Sequence, residues 1–321
     1  NKFKDIENIL DIFNINIKSS HPNTLLIRHN EKNNNFSRCK IFLENCVDLE
    51  LTPKNVSDLL EGELSKNENL IQYIGKNFNV KELFNDENYK KISFQESNIF
   101  YENGVSVDIN TTKNVINIAQ NVSGAKVFIT DGILEDITLN FKGLNLENDK
   151  EKVLKPKDYP SDYKGLTGCL SFINTKVKDL KLTSHNATCE DSINFINTSG
   201  NIKKIYIENA FSDALDVDFS NLKINEIEIK SAFNDCVDFS SGNYKLIELK
   251  LEGCGDKALS VGEKSSVEIF NIKASNANIG IATKDSSTVN IKNSNFKNLK
   301  TCLSAYNKKQ EYNGRFLTVD K

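Results

Sequence analysis

From about residue 166 onward the chain repeats itself with a period near 22 residues, and this limits the fold more than any other feature. Five segments open on the same kind of tripeptide: Glu190–Ser192 (EDS), Ser212–Ala214 (SDA), Asn234–Cys236 (NDC), Gly255–Lys257 (GDK) and Ala277–Ile279 (ANI). Their central residues, Asp191, Asp213, Asp235, Asp256 and Asn278, are separated by 22, 22, 21 and 22. One period upstream, CLSFINT (Cys169–Thr175) matches SINFINT (Ser192–Thr198) at a spacing of 23, and Cys302-Leu303-Ser304 takes the equivalent place downstream. A fixed period of this length marks a solenoid.

Within each period the apolar residues alternate, which is strand periodicity. Leu215, Val217 and Phe219 alternate with Asp216 and Asp218, and later Ile227 and Ile229 alternate with Glu226 and Glu228. Stacking the periods gives apolar columns: Ile193, Leu215, Val237, Ala258, Gly280, Cys302; then Ile205, Ile227, Leu249; then Ile207, Ile229, Leu251. Helical repeats need longer units and 3.6-residue spacing, so the expectation is all-β. With no hexapeptide repeat of the left-handed kind, the fold expected is a right-handed parallel β-helix of about 22 residues per coil.

Residues 96–310 make up this solenoid, with the strand-like runs of residues 96–141 as its first, less regular coils. Residues 144–165, charged and carrying Pro156 and Pro160, read as a long insertion loop, and such loops are often functional. Residues 1–95 differ. Lys4–Phe13, Asn55–Leu64 and Leu70–Phe78 have helical patterning, whereas Thr24–Ile27 and Lys40–Leu43 look like strands. A solenoid must cover its open ends, so this segment is expected to be an α/β cap or the remnant of a separate domain, and residues 311–321 a C-terminal tail.

The formal net charge is −3 and Arg is confined to Arg28, Arg38 and Arg315, which argues against a nucleic-acid phosphate binder. No apolar run is long enough for a membrane-spanning helix. The first residue is Asn1 and Met is absent, so the sequence reads as a piece of a longer chain with other domains. The richness in Asn, Lys and Ile points to a bacterial origin, with the cell surface or the secreted space favoured. His21, His29 and His185 are scattered, and the seven cysteines lack a CxxC, which leaves zinc and redox motifs unsupported. Cys189, Phe211, Phe233 and Cys254 share one column before the turn, so the cysteines are expected to be buried free thiols, a disulfide between adjacent coils being the alternative.

Coils stack about 4.8 Å apart, so repeated aspartates become ladders. Asp213, Asp235 and Asp256 form one at the turn; Asp216 and Asp238 form a second on the strand, with Asn194 one coil below and Asp218 beside it. Like charges at this distance need compensation. Asx-type bonds to backbone N–H groups would make the turn row structural. Ca²⁺ bridging Asp216 and Asp238 is a candidate cofactor, carboxylates being hard oxygen ligands. Acid–base chemistry is the third: adjacent coils approach the ~5–5.5 Å of retaining glycosidases, and alternate coils the ~9.5 Å upper limit of inverting ones.

The order SDALDVD, NDCVDF, GDKALSVG resembles the consecutive-coil motifs of polygalacturonases, within the pectate lyase and polygalacturonase superfamily of β-helices. The resemblance implies Asp213 as the first acid and Asp235 as one of an acid pair. Asn234 stands where the other acid would be, Lys257 replaces the expected His, and the family's basic motif is not evident. Lyases and epimerases on β-helices use a basic residue to take a C5 proton, a role the resemblance extends to Lys257. More loosely, residues 190–313 resemble β-helix segments of bacterial surface-associated or polysaccharide-locus proteins, some linked to spore-coat-protein-kinase-like (CotH-type) domains; the kinase motifs themselves are missing.

The expected partner is therefore a polysaccharide, held on a face of Asp213, Asp235, Asp256 and Lys257 as catalytic candidates and Asp216 and Asp238 as metal candidates. Lys264, Lys284, Tyr306 and Lys308 supply cations and an aromatic platform for sugar binding. The competing reading is a non-catalytic structural or adhesive module whose ladders are only turn chemistry.

Overall fold

The computed structural model describes residues 89–144, 166–309, 312 and 314–319 in full, together with the backbone of three strands nearer the N-terminus. Those three, β1 (Leu25–Asn30), β2 (Asn35–Lys40) and β3 (Cys46–Leu49), form an antiparallel sheet of their own. The first expected strand thus begins at Leu25 and the second ends, rather than starts, at Lys40. The helices expected at Lys4–Phe13, Asn55–Leu64 and Leu70–Phe78 lie outside the described residues, as do all but the first residue of the insertion expected at 144–165.

The second unit opens with two hairpins. β4 (Tyr89–Phe94) pairs antiparallel with β5 (Ser97–Glu102), and β6 (Val105–Asn110) with β7 (Val115–Gln120). Alternation in residues 97–110 therefore belongs to hairpin strands and not to first coils, whereas β7 is shared between its hairpin and the first parallel stack. Only Gln95 and Glu96 separate β4 from β5, and a two-residue connection can reverse a strand but cannot carry it round a coil.

Parallel stacking starts where β8 (Val127–Thr130) meets β11 (Gly168–Ile173), and where β7 and β9 (Ile133–Glu135) meet β10 (Thr138–Lys142) and β12 (Lys176–His185). From there two sheets run side by side. One stacks β11, β13 (Asp191–Ile196), β15 (Asp213–Asp218), β17 (Val237–Ser240) and β19 (Lys257–Gly262). The other stacks β12, β14 (Ser199–Ala210), β16 (Asn221–Ala232) and β18 (Asn243–Cys254). In β20 (Ser266–Lys284) and β21 (Thr288–Tyr306) single long strands serve both sheets, and β22 (Phe316–Val319) pairs with the start of β21. The described residues are all-β, a solenoid of about 22 residues per coil.

The register corrects one column. Ile193, Leu215 and Val237 continue through Leu259, Ile281 and Leu303, not Ala258, Gly280 and Cys302. The period stays at 22 throughout this row, and Cys302 is an exposed free thiol.

Inside, Ile, Leu, Val and Phe from both sheets fill the core, with Phe172 stacked on Phe195 at 4.6 Å between ring centres. The abundance of Asn has a structural use. Side-chain amides of Asn174 and Asn197, Asn186 and Asn209, Asn221 and Asn243, and Asn276 and Asn298 hydrogen-bond from coil to coil at 2.7–3.1 Å. Six of these eight residues, Asn174, Asn186, Asn197, Asn209, Asn276 and Asn298, adopt left-handed φ values, which Asn tolerates better than most side chains.

The cysteine expectation is overturned. Cys169 is bonded to Cys189 and Cys236 to Cys254, with Cα atoms 5.3 and 5.4 Å apart. Separations of 20 and 18 residues, slightly less than one coil, bring each pair together across a corner of the solenoid rather than vertically within one column.

Candidate functional site

The outward residues of β13, β15, β17 and β19 carry the aspartate rows. Strand alternation sends Leu215 and Val217 into the core and leaves Asp216 and Asp218 on the other face. The parallel register then stacks Asn194, Asp216, Asp238 and Ser260 in one column. A second column runs through Asp218, Ser240 and Gly262 to Lys284 and Tyr306. Every residue of β11 and β13 is buried, whereas Asp213, Asp216, Asp218 and Asp238 keep partial solvent contact.

At the strand entry the row is Asp191, Asp213, Asp235 and Lys257. The lysine, not Asp256, stands in register with the aspartates, and Asp256 lies one residue earlier, beside Asn234 of the coil below. Here the aspartates tie coils together. One Asp213 oxygen, Oδ1, accepts the N–H of Asp235 and the amide of Asn234, both at 2.7 Å, and Asp235 Oδ1 accepts the N–H of Lys257 at 2.9 Å. Asp213 and Asp235 thus accept backbone N–H groups, but from the next coil, so these are bonds between coils and not the Asx turns expected at each aspartate.

The chain supplies its own cations to the C-terminal part of the face. Lys257 Nζ lies 3.3 Å from both oxygens of Asp235 and also pairs with Asp256. Lys284, only 4% exposed, places its Nζ 3.7 Å from Asp238 Oδ2. Lys309 pairs with Glu263. Burial alone would lower the Lys257 pKa, but its bonds to Asp256 and Asp235 reverse the sign and hold the ammonium firmly charged. That removes Lys257 as a ready proton acceptor.

In the N-terminal part, among the described residues, no lysine or arginine forms an ion pair with Asp191, Asp213, Asp216 or Asp218. Asn194 Nδ2 donates to Asp216 Oδ2 at 2.8 Å and to Asp218 Oδ2 at 3.3 Å, spanning two carboxyls on one strand. Burial first, then mutual repulsion, raises the acids. Glu190 is pushed up to about 7, with the Asp213 charge adding to burial. Asp213 goes up to about 6 and Asp218 to about 7, in each case through burial that outweighs their hydrogen bonds. Asp191 is held well above the ordinary carboxylate range by burial and by the charge of Asp213, and Asp216 by burial and by the charges of Asp218 and Asp191. Asp235 is raised by burial, with Lys257 opposing.

Of the residues expected at the site, Asp213, Asp235, Asp256 and Lys257 are brought together, as are Asp216, Asp238 and Lys284. Tyr306, in register with Lys284, feels the charges of Lys257, Asp256, Asp235 and Asp238. Lys264 and Lys308 stand apart from the carboxylates. Lys264 lies over the Tyr312 ring at 5.7 Å, and Lys308 donates its main-chain N–H to the buried Asp285 at 2.7 Å. Glu190, Asp191 and Ser260 join the face without having been singled out, although the EDS tripeptide carried the first two as a copy of the motif one coil away.

Four groups in the middle column, which Ser171 continues one coil below Asn194, lack partners: Ser171 Oγ, Asn194 Oδ1, Asp238 Oδ1 and Ser260 Oγ are buried without a hydrogen bond. Among the described residues, no set of three or more His, Cys, Asp or Glu side chains is placed to hold a metal ion. Asp216 and Asp238 are in register as the calcium expectation required, but Asn194 Nδ2 and Lys284 Nζ already face them, so they do not form an all-oxygen cage.

A concavity lies on the other sheet, away from the aspartates. About 350 Å³ in volume, it is floored by Ile229, Leu251 and Ala274 and rimmed by alternating charges including Glu228, Lys230, Lys250 and Glu252.

No protein-family model matches the chain, and no curated protein sequence matches it. Among solved structures there is a match to full-length tailspike protein 2 from Escherichia coli O157:H7 bacteriophage CAB120, at 9% identity with a TM-score of 0.26. It covers 98% of this chain and 64% of the tailspike chain.

Proposed function

We propose that the protein engages an extended polysaccharide along the acidic face of its solenoid and that the carboxyls there act on glycosidic bonds by acid–base chemistry. One observation carries this: chemically equivalent acids recur on the same outward face of consecutive coils, partly open to solvent. A periodic face suits a periodic polymer, each coil offering the next unit a similar set of acceptors. Glu190 and Asp218, each up to about 7, are raised to where a general acid working near neutrality can carry its proton, and Asp213, up to about 6, falls short of that. Asp235, raised by burial but opposed by the ammonium of Lys257, is the candidate counterpart. Elimination or epimerisation through Lys257 is disfavoured, because a lysine clamped between two carboxylates has no lone pair to offer. The two disulfides suit an oxidising compartment, so we place the protein at the cell surface or in the secreted space.

The test is a panel of neutral, basic and uronic polysaccharides, scored for retardation in affinity gels and for release of reducing ends. Retardation by a neutral or basic polymer is expected, with reducing-end release lost in Glu190→Gln or Asp218→Asn while binding persists. Retardation without release in the native protein reduces the role to that of an adhesive module. Ultraviolet-absorbing unsaturated product from a uronic polymer, lost in Lys257→Ala, replaces hydrolysis with elimination. No retardation by any member overturns the polysaccharide role.

A further inference from the structure

The acidic face is asymmetric along the solenoid axis. Where Asp235 and Asp256 lie close, the chain inserts an ammonium between them, and a second ammonium approaches Asp238 from one side. One coil toward the N-terminus, Asp216 has no such counter-ion among the described residues, although Asp191, Asp213, Asp218 and Asp238 all act on it. The middle column also presents acceptors that nothing in the protein uses. Asn194, 2% exposed, has its amide nitrogen on Asp216 and Asp218 but its oxygen unpaired; Asp238 Oδ1 is unpaired; and Ser260, fully buried in register with Asp238, has no partner for its hydroxyl.

We propose that the Asn194–Asp216–Asp238–Ser260 column is a subsite for a primary ammonium group carried by the polysaccharide, so that the substrate class is a glycan containing amino sugars with free amines. The inference rests on the polysaccharide reading given above. An ammonium brings three N–H donors and one positive charge, which matches an excess of acceptors around an uncompensated carboxyl. Lys257 shows the same chemistry within the chain, a single ammonium reconciling two carboxylates. A uronic sugar would add a negative charge to a face that already has too many, and an N-acetylated or neutral sugar would leave the repulsion in place. Calcium fits less well, because it takes six to eight oxygens while Asn194 and Lys284 turn N–H donors toward this column.

Calorimetry of the full chain decides the matter, using oligosaccharides of equal length and linkage: glucosamine, N-acetylglucosamine and glucose oligomers, with polygalacturonate as the anionic control. The glucosamine oligomer should bind about 10-fold to 100-fold more tightly than the other two, the range expected from one or two charge-assisted hydrogen bonds. Asp216→Asn combined with Asp238→Asn should bring its affinity down to that of the N-acetylated oligomer, and Ser260→Ala should weaken it several-fold. Burial and the neighbouring carboxylates raise Asp216, and an ammonium beside it favours the ionised form, so the heats should also vary with the ionisation enthalpy of the buffer wherever binding displaces a proton. Equal binding of amine and neutral oligomers overturns the ammonium subsite and leaves the polysaccharide reading standing; binding of none of the four removes both. Tight glucosamine binding that survives the double substitution, with the melting curve unchanged, places the amine elsewhere and overturns the assignment. Millimolar Ca²⁺ giving heat that disappears in the same double variant assigns the column to a metal and likewise overturns it.

Discussion

Replacing Lys257 with Met tests whether the lysine is the internal counter-ion of the acidic face. Its Nζ lies 3.3 Å from Asp235 Oδ2, with side chains 13% and 6% exposed. At that distance the attraction is about 5 kcal/mol at an effective dielectric near 20 and only about 1 kcal/mol in bulk water. Much of it offsets the cost of dehydrating both groups, so the pair itself adds little net stability. Removing one partner is different, because the buried carboxylate left behind has no compensation; the usual loss is about 3–5 kcal/mol. Asp256 is 40% exposed and can rehydrate, so the expected loss lies near the lower end, about 3 kcal/mol at pH 8.

The pH dependence distinguishes this from a simple packing defect. Asp235 is already raised by burial, and without Lys257 it rises further. A carboxyl whose folded pKa exceeds its unfolded value stabilises the fold while protonated, and that contribution is lost as pH climbs through the folded pKa. At pH 5 the variant can therefore protonate Asp235 and should lose only about 1 kcal/mol, the cost of altered hydrogen bonding. Urea denaturation at pH 5 and pH 8 measures both, and Lys257→Met with Asp235→Asn should regain most of the pH 8 loss. A deficit equal at the two pH values, or below about 0.5 kcal/mol at pH 8, the level of an ordinary surface substitution, would refute the counter-ion role.

Two further outcomes follow from the same structure. The native protein binds more protons than the unfolded chain from about pH 4 to about pH 7, the window set by Asp213 near 6 and by Glu190 and Asp218 near 7, so its stability should fall as pH rises through that range. Asp218→Asn should flatten the profile and raise the melting temperature at pH 8 by roughly 2–4 °C, the shift for about 1 kcal/mol at this size; an unchanged profile in thermal scans would show that Asp218 ionises normally. Peptide mapping without reductant should find Cys169 joined to Cys189 and Cys236 to Cys254, with Cys302 alkylated in the native protein, and each Cys→Ser break should cost about 3 kcal/mol in urea; native alkylation of Cys236 or Cys254 would contradict the pairing.

The coils were legible because each repeats one environment: Leu215, Val237 and their equivalents face the same core, so selection for burial writes the period directly into the sequence. The register at Lys257 was harder to read. Aligning GDK with NDC matched aspartate to aspartate and shortened one spacing to 21, whereas the structure keeps Val237 over Leu259 and puts lysine in the aspartate row. Burial of the apolar column is worth about 1.5–3 kcal/mol per large side chain, so it outweighs likeness at the partly exposed turn and should have fixed the register. The hairpins at β4–β7 share the solenoid's alternation, and only their short connections distinguish them. The disulfides were hidden for a geometric reason: residues that meet round a corner are not in one column, so stacking periods cannot pair Cys236 with Cys254.

The slipped register changes the chemistry of the face. With Asp256 in the row there would be an unbroken acidic ladder needing an external ion along its whole length. With Lys257 in the row, the C-terminal part is compensated from within and the uncompensated charge runs from β13 and β15 only as far as Asp238 of β17. Substituting a lysine for an acid at one coil of a solenoid perturbs only the neighbouring coils, since each repeat touches little beyond them. The extent of uncompensated charge is therefore set coil by coil. In this chain it ends at Asp238, one coil from Asp216, where Lys284 faces one carboxylate oxygen and the other is unpaired. A cationic ligand seated there would extend by one coil the compensation that Lys257 and Lys284 begin. Its position on the axis then follows from where the chain's own ammonium groups stop.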